Sequence, residues 1–456
     1  MFLDKLNEEC GVVGIYSNDE TITAENIYFG LHSIQHRGQE SAGILVNKDG
    51  AIKCYKEMGL VQDVFNESII KELRGNIGIG HVRYSTTGES LASNAQPLDV
   101  DYTKGTFGFA HNGNLVNTDE LKDQLVKEGY EFKTTNDSEV IGVLIKKYTK
   151  DNIVDGIKKT METIKGAYAV VLTCEDKLIG MRDPHGLRPL VLGKNKNGYI
   201  LGSESCVLNV LEGQIIRNIE PGEIVVINGD VVESYKTTPK KSALCSFEFV
   251  YFARPDSEID NQSVYMSRLK AGKILARENK IDADLVVDVP DSGRIAAMGY
   301  SQESGIPFAE GLIKNRYVGR TFIEPTQERR EMKVKLKLSP LKSTIEGKKI
   351  ILVDDSIVRG TTMKNIVTLL KQAGVKEVHI RISSPSVTNP CYFGIDTPDK
   401  KNLIGANNSV ESIRQVIGAD SLSFLSLEGL NESCSDANLS LCTACFSGKY
   451  PMEIGN

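Results

Sequence analysis

Long apolar runs, a basic excess and the common nucleotide fingerprints are all missing from this chain. No stretch reaches the ~20 consecutive apolar residues needed to span a bilayer, and residues 1–9 carry acids where a secretory leader needs an apolar core. A cytoplasmic address with no membrane partner is therefore expected. Lys and Arg number 54 against 60 Asp and Glu, a net charge of -6, so no positive surplus is available for a phosphate backbone and nucleic acid is not an expected partner. A Gly-x4-Gly-Lys-Ser/Thr loop is absent, as is a dinucleotide glycine fingerprint, which argues against an ordinary nucleoside triphosphate as ligand. Internal repeats and low-complexity tracts are lacking too.

What is present suits a globular enzyme: 456 residues, 40% hydrophobic and 25% charged. Single cores stop growing at roughly 250–300 residues, so two domains are expected. From residue 10 to about 235, short apolar strands (12–16, 77–82, 168–172) mix with helical stretches such as 118–127, the pattern of a layered α+β domain. Between about 250 and 385 the order becomes strand 285–289, helix 295–302, strand 349–353, helix 361–373, strand 378–382, which implies a parallel sheet covered by helices. The polar stretch 232–241 separates the two patterns, so the expected division is 10–235 and 236–456.

Nine cysteines, an odd number in a chain without a secretory leader, point to thiol chemistry or metal binding before disulfides. Cys10 opens an apolar strand after nine residues, four of them charged, with no evident structural use. If residues 1–9 are a removable propeptide, cleavage exposes the α-amine of Cys10, which with an ordinary pKa near ~8 can take the thiol proton. The plain alternative is one more buried strand cysteine. Four downstream runs supply suitable company: His36-Arg37-Gly38-Gln39-Glu40, His81-Val82-Arg83, His111-Asn112-Gly113-Asn114 and Asn136-Asp137-Ser138. Arg83 offers a planar fork for an α-carboxylate and Asp137 a partner for an α-ammonium. The Asn112 side-chain amide and the Gly113 backbone N–H can stabilise an oxyanion.

On these motifs the first half resembles the class II, N-terminal-nucleophile glutamine amidotransferases. The resemblance implies a four-layer αββα domain with Cys10 as nucleophile, Arg83 and Asp137 binding glutamine, and Asn112 and Gly113 as the oxyanion hole. The rival triad design needs a cysteine on a Gly-x-Cys-x-Gly turn, and none of the nine has it. Cys54, Cys174 and Cys206 sit in apolar or strand-like contexts and read as structural.

The most specific motif follows the strand at 349–353: Asp354-Asp355-Ser356-Ile357-Val358-Arg359-Gly360-Thr361-Thr362. A helix start supplies unpaired N–H groups and a partial positive charge, and Ser356, Gly360, Thr361 and Thr362 add hydroxyls and close backbone approach, together a cradle for one phosphate monoester. The paired acids suit ribose hydroxyls or Mg²⁺ instead. This run resembles the phosphoribosyl pyrophosphate (PRPP) loop of type I phosphoribosyltransferases, including Arg359, with an α/β parallel-sheet fold over about 250–385. The resemblance makes Pro290-Asp291-Ser292-Gly293 the pyrophosphate-side loop, otherwise an everyday turn, with Ser292 joining Asp354 and Asp355 around Mg²⁺. It also makes 320–338 a catalytic lid, with Lys333, Lys335 and Lys337 as candidate cations. The family pattern has Arg where Lys335 stands.

Cys442-Thr443-Ala444-Cys445 is a Cys-x-x-Cys pair with Cys245 and Cys391 as distant companions; Cys434 is a rival fourth ligand, and spacing alone leaves zinc and iron–sulfur open. With both halves matched, the chain is similar to the amidophosphoribosyltransferases, of which one branch carries a propeptide and a [4Fe-4S] cluster. That likeness assigns Cys245, Cys391, Cys442 and Cys445 to a structural cluster. It also implies transfer of glutamine-derived ammonia to PRPP, giving 5-phosphoribosylamine, glutamate and pyrophosphate, through an internal passage whose residues the sequence does not identify. A homotetramer inhibited by purine nucleotides is implied as well. A PRPP-sensing binding protein, a class II relative with another sugar-phosphate domain and a structural metal protein are the rival readings.

Overall fold

The computed structural model describes residues 10–84, 91–238, 240–315, 337–397 and 399–454. Two antiparallel sheets make the first half. One has seven strands in the order Gln214–Asn218, Val191–Asn195, Gly198–Gly202, Gly11–Ser17, Ile77–Arg83, Ser41–Lys48 and Ala51–Met58. The other has six: Val231–Lys236, Glu223–Asn228, Lys177–Arg182, Gly166–Cys174, Gly105–Leu115 and Leu98–Tyr102.

Side-chain alternation along the central strands shows how the layers stack. In Gly11–Ser17, Val12 and Tyr16 face a core shared with Ala169, Val171 and Leu178 of the second sheet, while Val13 and Ile15 face Ala24, Ile27 and Leu31 of helix Thr23–Ser33. In Gly166–Cys174, Ala169 and Val171 face the first sheet, while Tyr168, Val170 and Leu172 meet Ile141, Ile145 and Ile157 of helices Ser138–Tyr148 and Ile153–Thr163. The result is helix, sheet, sheet, helix. Central strands are covered on both faces, which is why they read as unbroken apolar runs.

The second half holds a four-stranded, all-parallel sheet in the order Leu285–Asp288, Lys349–Asp354, Glu377–Ile382, Ser421–Phe424. Its two faces bury different sets: Val286, Ile351 and Val353 against Ala296, Ala297 and Tyr300 of helix Arg294–Ser304, and Val287, Ile350 and Leu352 against Met363, Ile366 and Leu370 of helix Thr361–Gln372. Leu312–Lys314 pairs antiparallel with Leu338–Pro340 as a separate two-stranded ribbon. Among the described residues no helix is long and apolar enough to cross a membrane.

A buried ion network joins the halves. The Arg37 side chain is 0% exposed and donates to Glu204 and to Glu248, both also 0% exposed. Glu204 further accepts from the Arg254 N–H at 2.9 Å and Ser257 Oγ at 2.7 Å, and pairs with His36 Nε2 at 2.7 Å. Burial alone would raise the Glu204 carboxyl; Arg37 and His36 outweigh that and hold it well below the ordinary carboxylate range.

Candidate active sites

Antiparallel register assembles the first site. Gly11 pairs with Val82 and Ser41 with Arg83, so Cys10 and Glu40, each one residue earlier, flank the end of strand Ile77–Arg83. The Arg83 guanidinium is buried, and its Nη1 donates to Glu40 Oε1 at 2.9 Å. The partly exposed Cys10 thiol donates to the Tyr84 carbonyl at 3.4 Å. Burial pushes that thiol from 9.0 up to about 11; the Arg83 charge pulls it down and the Asp137 and Glu40 charges push it further up. A thiol so placed stays protonated at neutral pH and needs a base.

The second sheet contributes the oxyanion candidates. Gly113 has φ +144°, and a Cβ there would stand 2.0 Å from the Ala167 carbonyl oxygen, so only glycine fits. Asn112 is fully buried; its Nδ2 reaches Ser203 Oγ at 3.5 Å, and its Oδ1 has no hydrogen-bond partner among the described residues. Ser203 Oγ also accepts from the Val12 N–H at 3.0 Å. That hydroxyl therefore ties Asn112 to the strand that begins beside Cys10.

Asp137 directly precedes helix Ser138–Tyr148, its side chain turned away from a capping bond, with Oδ2 accepting from the Leu115 N–H at 3.0 Å and Oδ1 from Ser138 Oγ at 3.4 Å. Beneath it, Ser138 Oγ meets His111 Nδ1 at 2.8 Å and Gln96 Nε2 at 3.1 Å, Gln96 Oε1 accepts from the His111 N–H at 2.8 Å, and His81 Nε2 meets the His111 carbonyl at 3.1 Å. Burial drives His81 down to about 3 and lowers His111 as well. Both rings are neutral supports, and His81 is too weak a base to activate a thiol.

The second site lies where parallel strands Leu285–Asp288 and Lys349–Asp354 end, the usual crevice of an open α/β sheet. Ser292 Oγ donates to Asp354 Oδ1 at 2.9 Å. Gly293 makes that approach possible, because a Cβ there would stand 2.2 Å from the Val353 carbonyl oxygen. Asp354 and Asp355 are buried; the Asp355 N–H donates to Asp354 Oδ1 at 2.9 Å and Ser356 Oγ to Asp355 Oδ1 at 2.6 Å. Gly360, at φ +84°, turns the chain into helix Thr361–Gln372, whose N-terminal end has no side-chain cap. Thr361 is exposed there, with Arg359 and Thr362 half-buried. The Lys337 carbonyl accepts from the Asn315 N–H at 2.8 Å, while Lys333 and Lys335 lie outside the described residues, as do residues 1–9.

All nine cysteines are among the described residues and none is in a disulfide. A parallel pairing of Leu244–Cys245 with Leu441–Cys442 sets Cys245 beside Cys442. The Cys445 carbonyl accepts from the Thr388 and Asn389 N–H groups at 2.9 and 3.0 Å, which draws in Cys391. Cys245, Cys391, Cys442 and Cys445 line one cavity of about 20 Å³ with Leu187, Phe393, Ile395 and Tyr450. Burial raises the Cys442 thiol to about 11 and Cys445 well above 9.0. Cys434 packs elsewhere, with Ser267 Oγ 3.0 Å from its sulfur. Among the described residues no group of three or more His, Cys, Asp or Glu is arranged to hold a single metal ion.

Sequence reading singled out the run at 36–40 without giving its members roles; the Arg83–Glu40 pair and the Arg37 network depend on register and domain contact. Ser203 carried no signal beyond following a strand.

Glutamine amidotransferase and phosphoribosyl transferase domain families match residues 81–209 and 268–384. The amidophosphoribosyltransferase of Methanocaldococcus jannaschii is 48% identical over 98% of this chain and 98% of its own, and that of Bacillus subtilis 47% identical over 98% and 95%. Glutamine PRPP amidotransferase from B. subtilis, solved in complex with ADP and GMP, superposes with a TM-score of 0.92 at 46% identity, covering 98% of each chain. The chain belongs to the amidophosphoribosyltransferases, the enzymes that transfer ammonia from glutamine to PRPP in the first step of purine nucleotide synthesis.

Proposed function

We propose that Cys10, once freed by removal of residues 1–9, is the nucleophile of the glutamine half-reaction, with its own α-amine as base. The observation that carries this reading is the register that sets Cys10 at the end of the strand bearing Arg83, with its thiol donating to the Tyr84 carbonyl at 3.4 Å and Arg83 held by Glu40 at 2.9 Å. Arg83 binds the glutamine α-carboxylate, oriented by Glu40, and Asp137 binds the α-ammonium. The sulfur attacks the side-chain amide carbon, and the Asn112 amide and Gly113 N–H take the charge of the tetrahedral intermediate. Collapse expels ammonia and leaves a thioester; water then releases glutamate and restores the thiol. Both domains contribute, with the division placed between 235 and 236.

The second half-site holds PRPP by its 5-phosphate on Ser356, Arg359, Gly360, Thr361 and Thr362, and by its ribose hydroxyls on Asp354 and Asp355. Ammonia attacks the anomeric carbon as pyrophosphate departs. Asp354, Asp355 and the Ser292 hydroxyl, held together by the Ser292–Asp354 hydrogen bond, are oxygen donors that would suit Mg²⁺, whose charge would offset that of the departing pyrophosphate. Lys333, Lys335 and Lys337 are assigned to the pyrophosphate side.

The cysteine cavity fits a [4Fe-4S] cluster in donor chemistry, since four thiols line one space and match one cysteine per iron. Its space is about that of one water, so the thiol side chains must turn outward on binding. The cluster would tie the C-terminal segment to the domain junction. Purine nucleotides as feedback inhibitors are supported by the ADP and GMP of the B. subtilis complex. A homotetramer is assigned by family likeness, with exposed Val210, Ile215 and Ile216 near one sheet edge as apolar surface for it.

The test is Cys10→Ala assayed with glutamine and with ammonium salt as nitrogen donor. Glutamine-driven phosphoribosylamine formation is expected to vanish and ammonia-driven formation to remain; retained glutamine use would exclude Cys10 as nucleophile.

A further inference from the structure

The oxyanion-hole glycine is gripped from two sides by parts of the chain remote in sequence. On one side is its sheet neighbour, whose Ala167 oxygen would meet a Gly113 Cβ at 2.0 Å. On the other is Gly394, from the second half of the chain. Gly394 has φ +109°, and a Cβ there would stand 3.2 Å from the Gly113 carbonyl carbon, 3.4 Å from its Cα and 2.6 Å from Arg188 Nη2. A side chain at Gly394 would press on the Gly113 backbone and on Arg188, and its positive φ already favours glycine.

Two polar ties hold the contact in register. Asn114 Nδ2 donates to the Tyr392 carbonyl at 3.0 Å, and the buried Arg188 Nη2 donates to the Phe393 carbonyl. Phe393 is itself buried against Ala167 and Leu187, and Tyr450 packs edge-on against both Tyr392 and Phe393. The same short segment begins at Cys391, whose sulfur accepts from the Phe393 N–H at 3.3 Å and lines the cysteine cavity. Residues 391–394 thus touch the cavity at one end and the Gly113 peptide at the other.

We infer that residues 391–394 form a rest that fixes the Gly113 peptide, and that Gly394 and Asn114 are positioning residues for glutamine hydrolysis. Neither touches substrate; each acts by setting where the Gly113 N–H points. The inference rests on the reading of Gly113 as an oxyanion donor. An amide that shifts by a fraction of an ångström loses charge stabilisation made only in the transition state, so the turnover number falls while glutamine affinity, set by Arg83 and Asp137, is unchanged. The PRPP half-site shares none of these contacts.

Steady-state assays of Gly394→Ala and Asn114→Ala, with Asn112→Ala alongside, test this. Gly394→Ala is expected to lower kcat for glutamine about ten- to a hundredfold, with the glutamine KM within about twofold and ammonia-driven kcat unaltered. Asn114→Ala, which adds no atoms and no backbone strain, is expected to show the same pattern more weakly, and it carries the test if Gly394→Ala does not fold. Wild-type glutamine turnover in both variants while Asn112→Ala abolishes it would overturn the rest and leave the oxyanion hole standing. Wild-type turnover in Asn112→Ala would overturn both. Equal losses with glutamine and ammonia would mark the segment as merely structural.

Discussion

Gly113→Ala perturbs one peptide from within. At φ +144° an alanine costs about 1–3 kcal/mol in backbone strain, and its Cβ would sit 2.0 Å from the Ala167 oxygen, whereas such contacts are not seen below 3.0 Å. One of the two strands must therefore yield by about 1 Å, the difference of those distances. A displacement of that size at a reacting group can cost about 10²-fold, and loss of a single oxyanion donor costs about 10²–10³-fold, or ~2.7–4 kcal/mol. The strain is smaller than the ~5–15 kcal/mol that holds a typical domain together, so the fold should survive. Phosphoribosylamine formation should then fall by at least about 10² with glutamine and stay near wild type with ammonium salt. Full glutamine-driven turnover in a folded Gly113→Ala protein would remove the Gly113 N–H from the oxyanion hole, because no alanine can leave this amide where it is.

Arg37→Ala removes the cation shared by two buried carboxylates, leaving Glu204 with His36 and Glu248 with Arg188 at 3.9 Å, and should lower stability by about 3–5 kcal/mol in urea titrations at neutral pH; a loss under ~1 kcal/mol would mean the network is solvated. Because the folded Glu204 carboxyl lies below its ordinary value of 4.5, the unfolded chain takes up that proton first on acidification. Its stabilisation is complete above about pH 4.5 and drains away as the pH falls further, so the wild-type advantage over Glu204→Gln should shrink in denaturation at pH 3–4. Asp354→Asn with Asp355→Asn should abolish product formation with either nitrogen donor while leaving glutamine hydrolysis measurable; retained synthesis would remove the acid pair from the PRPP site. Purified protein should contain iron and absorb as a brown chromophore, and Cys391→Ser should bleach it. Stoichiometric zinc in a colourless, active protein would defeat the cluster.

Much of this was legible in the residues because local rules and tertiary needs agree. The helix expected at 118–127 is found as Thr118–Lys127, and the one expected at 361–373 as Thr361–Gln372, since both begin at clear start signals and carry an apolar stripe. The strands expected at 12–16 and 168–172 are found as Gly11–Ser17 and Gly166–Cys174, one and two residues longer at each end, as continuous apolar runs that need cover on both faces. Strand Ser421–Phe424 escaped because only Leu422 among its four residues is fully buried, so the sheet gained a fourth member the sequence did not announce. The choice of Cys245 over Cys434 as neighbour of Cys442 needed the pairing of two dipeptide strands nearly two hundred residues apart. The Arg37 network and the contact of Gly394 with Gly113 are likewise properties of register and docking, invisible to any windowed pattern.

Whether a cysteine made N-terminal by cleavage serves as its own base is read from the intact mass of the mature, active chain. A mass corresponding to a first residue of Cys10, with glutamine-driven activity appearing in step with that species, is the expected result. A fully active protein that still carries residues 1–9 would contradict it.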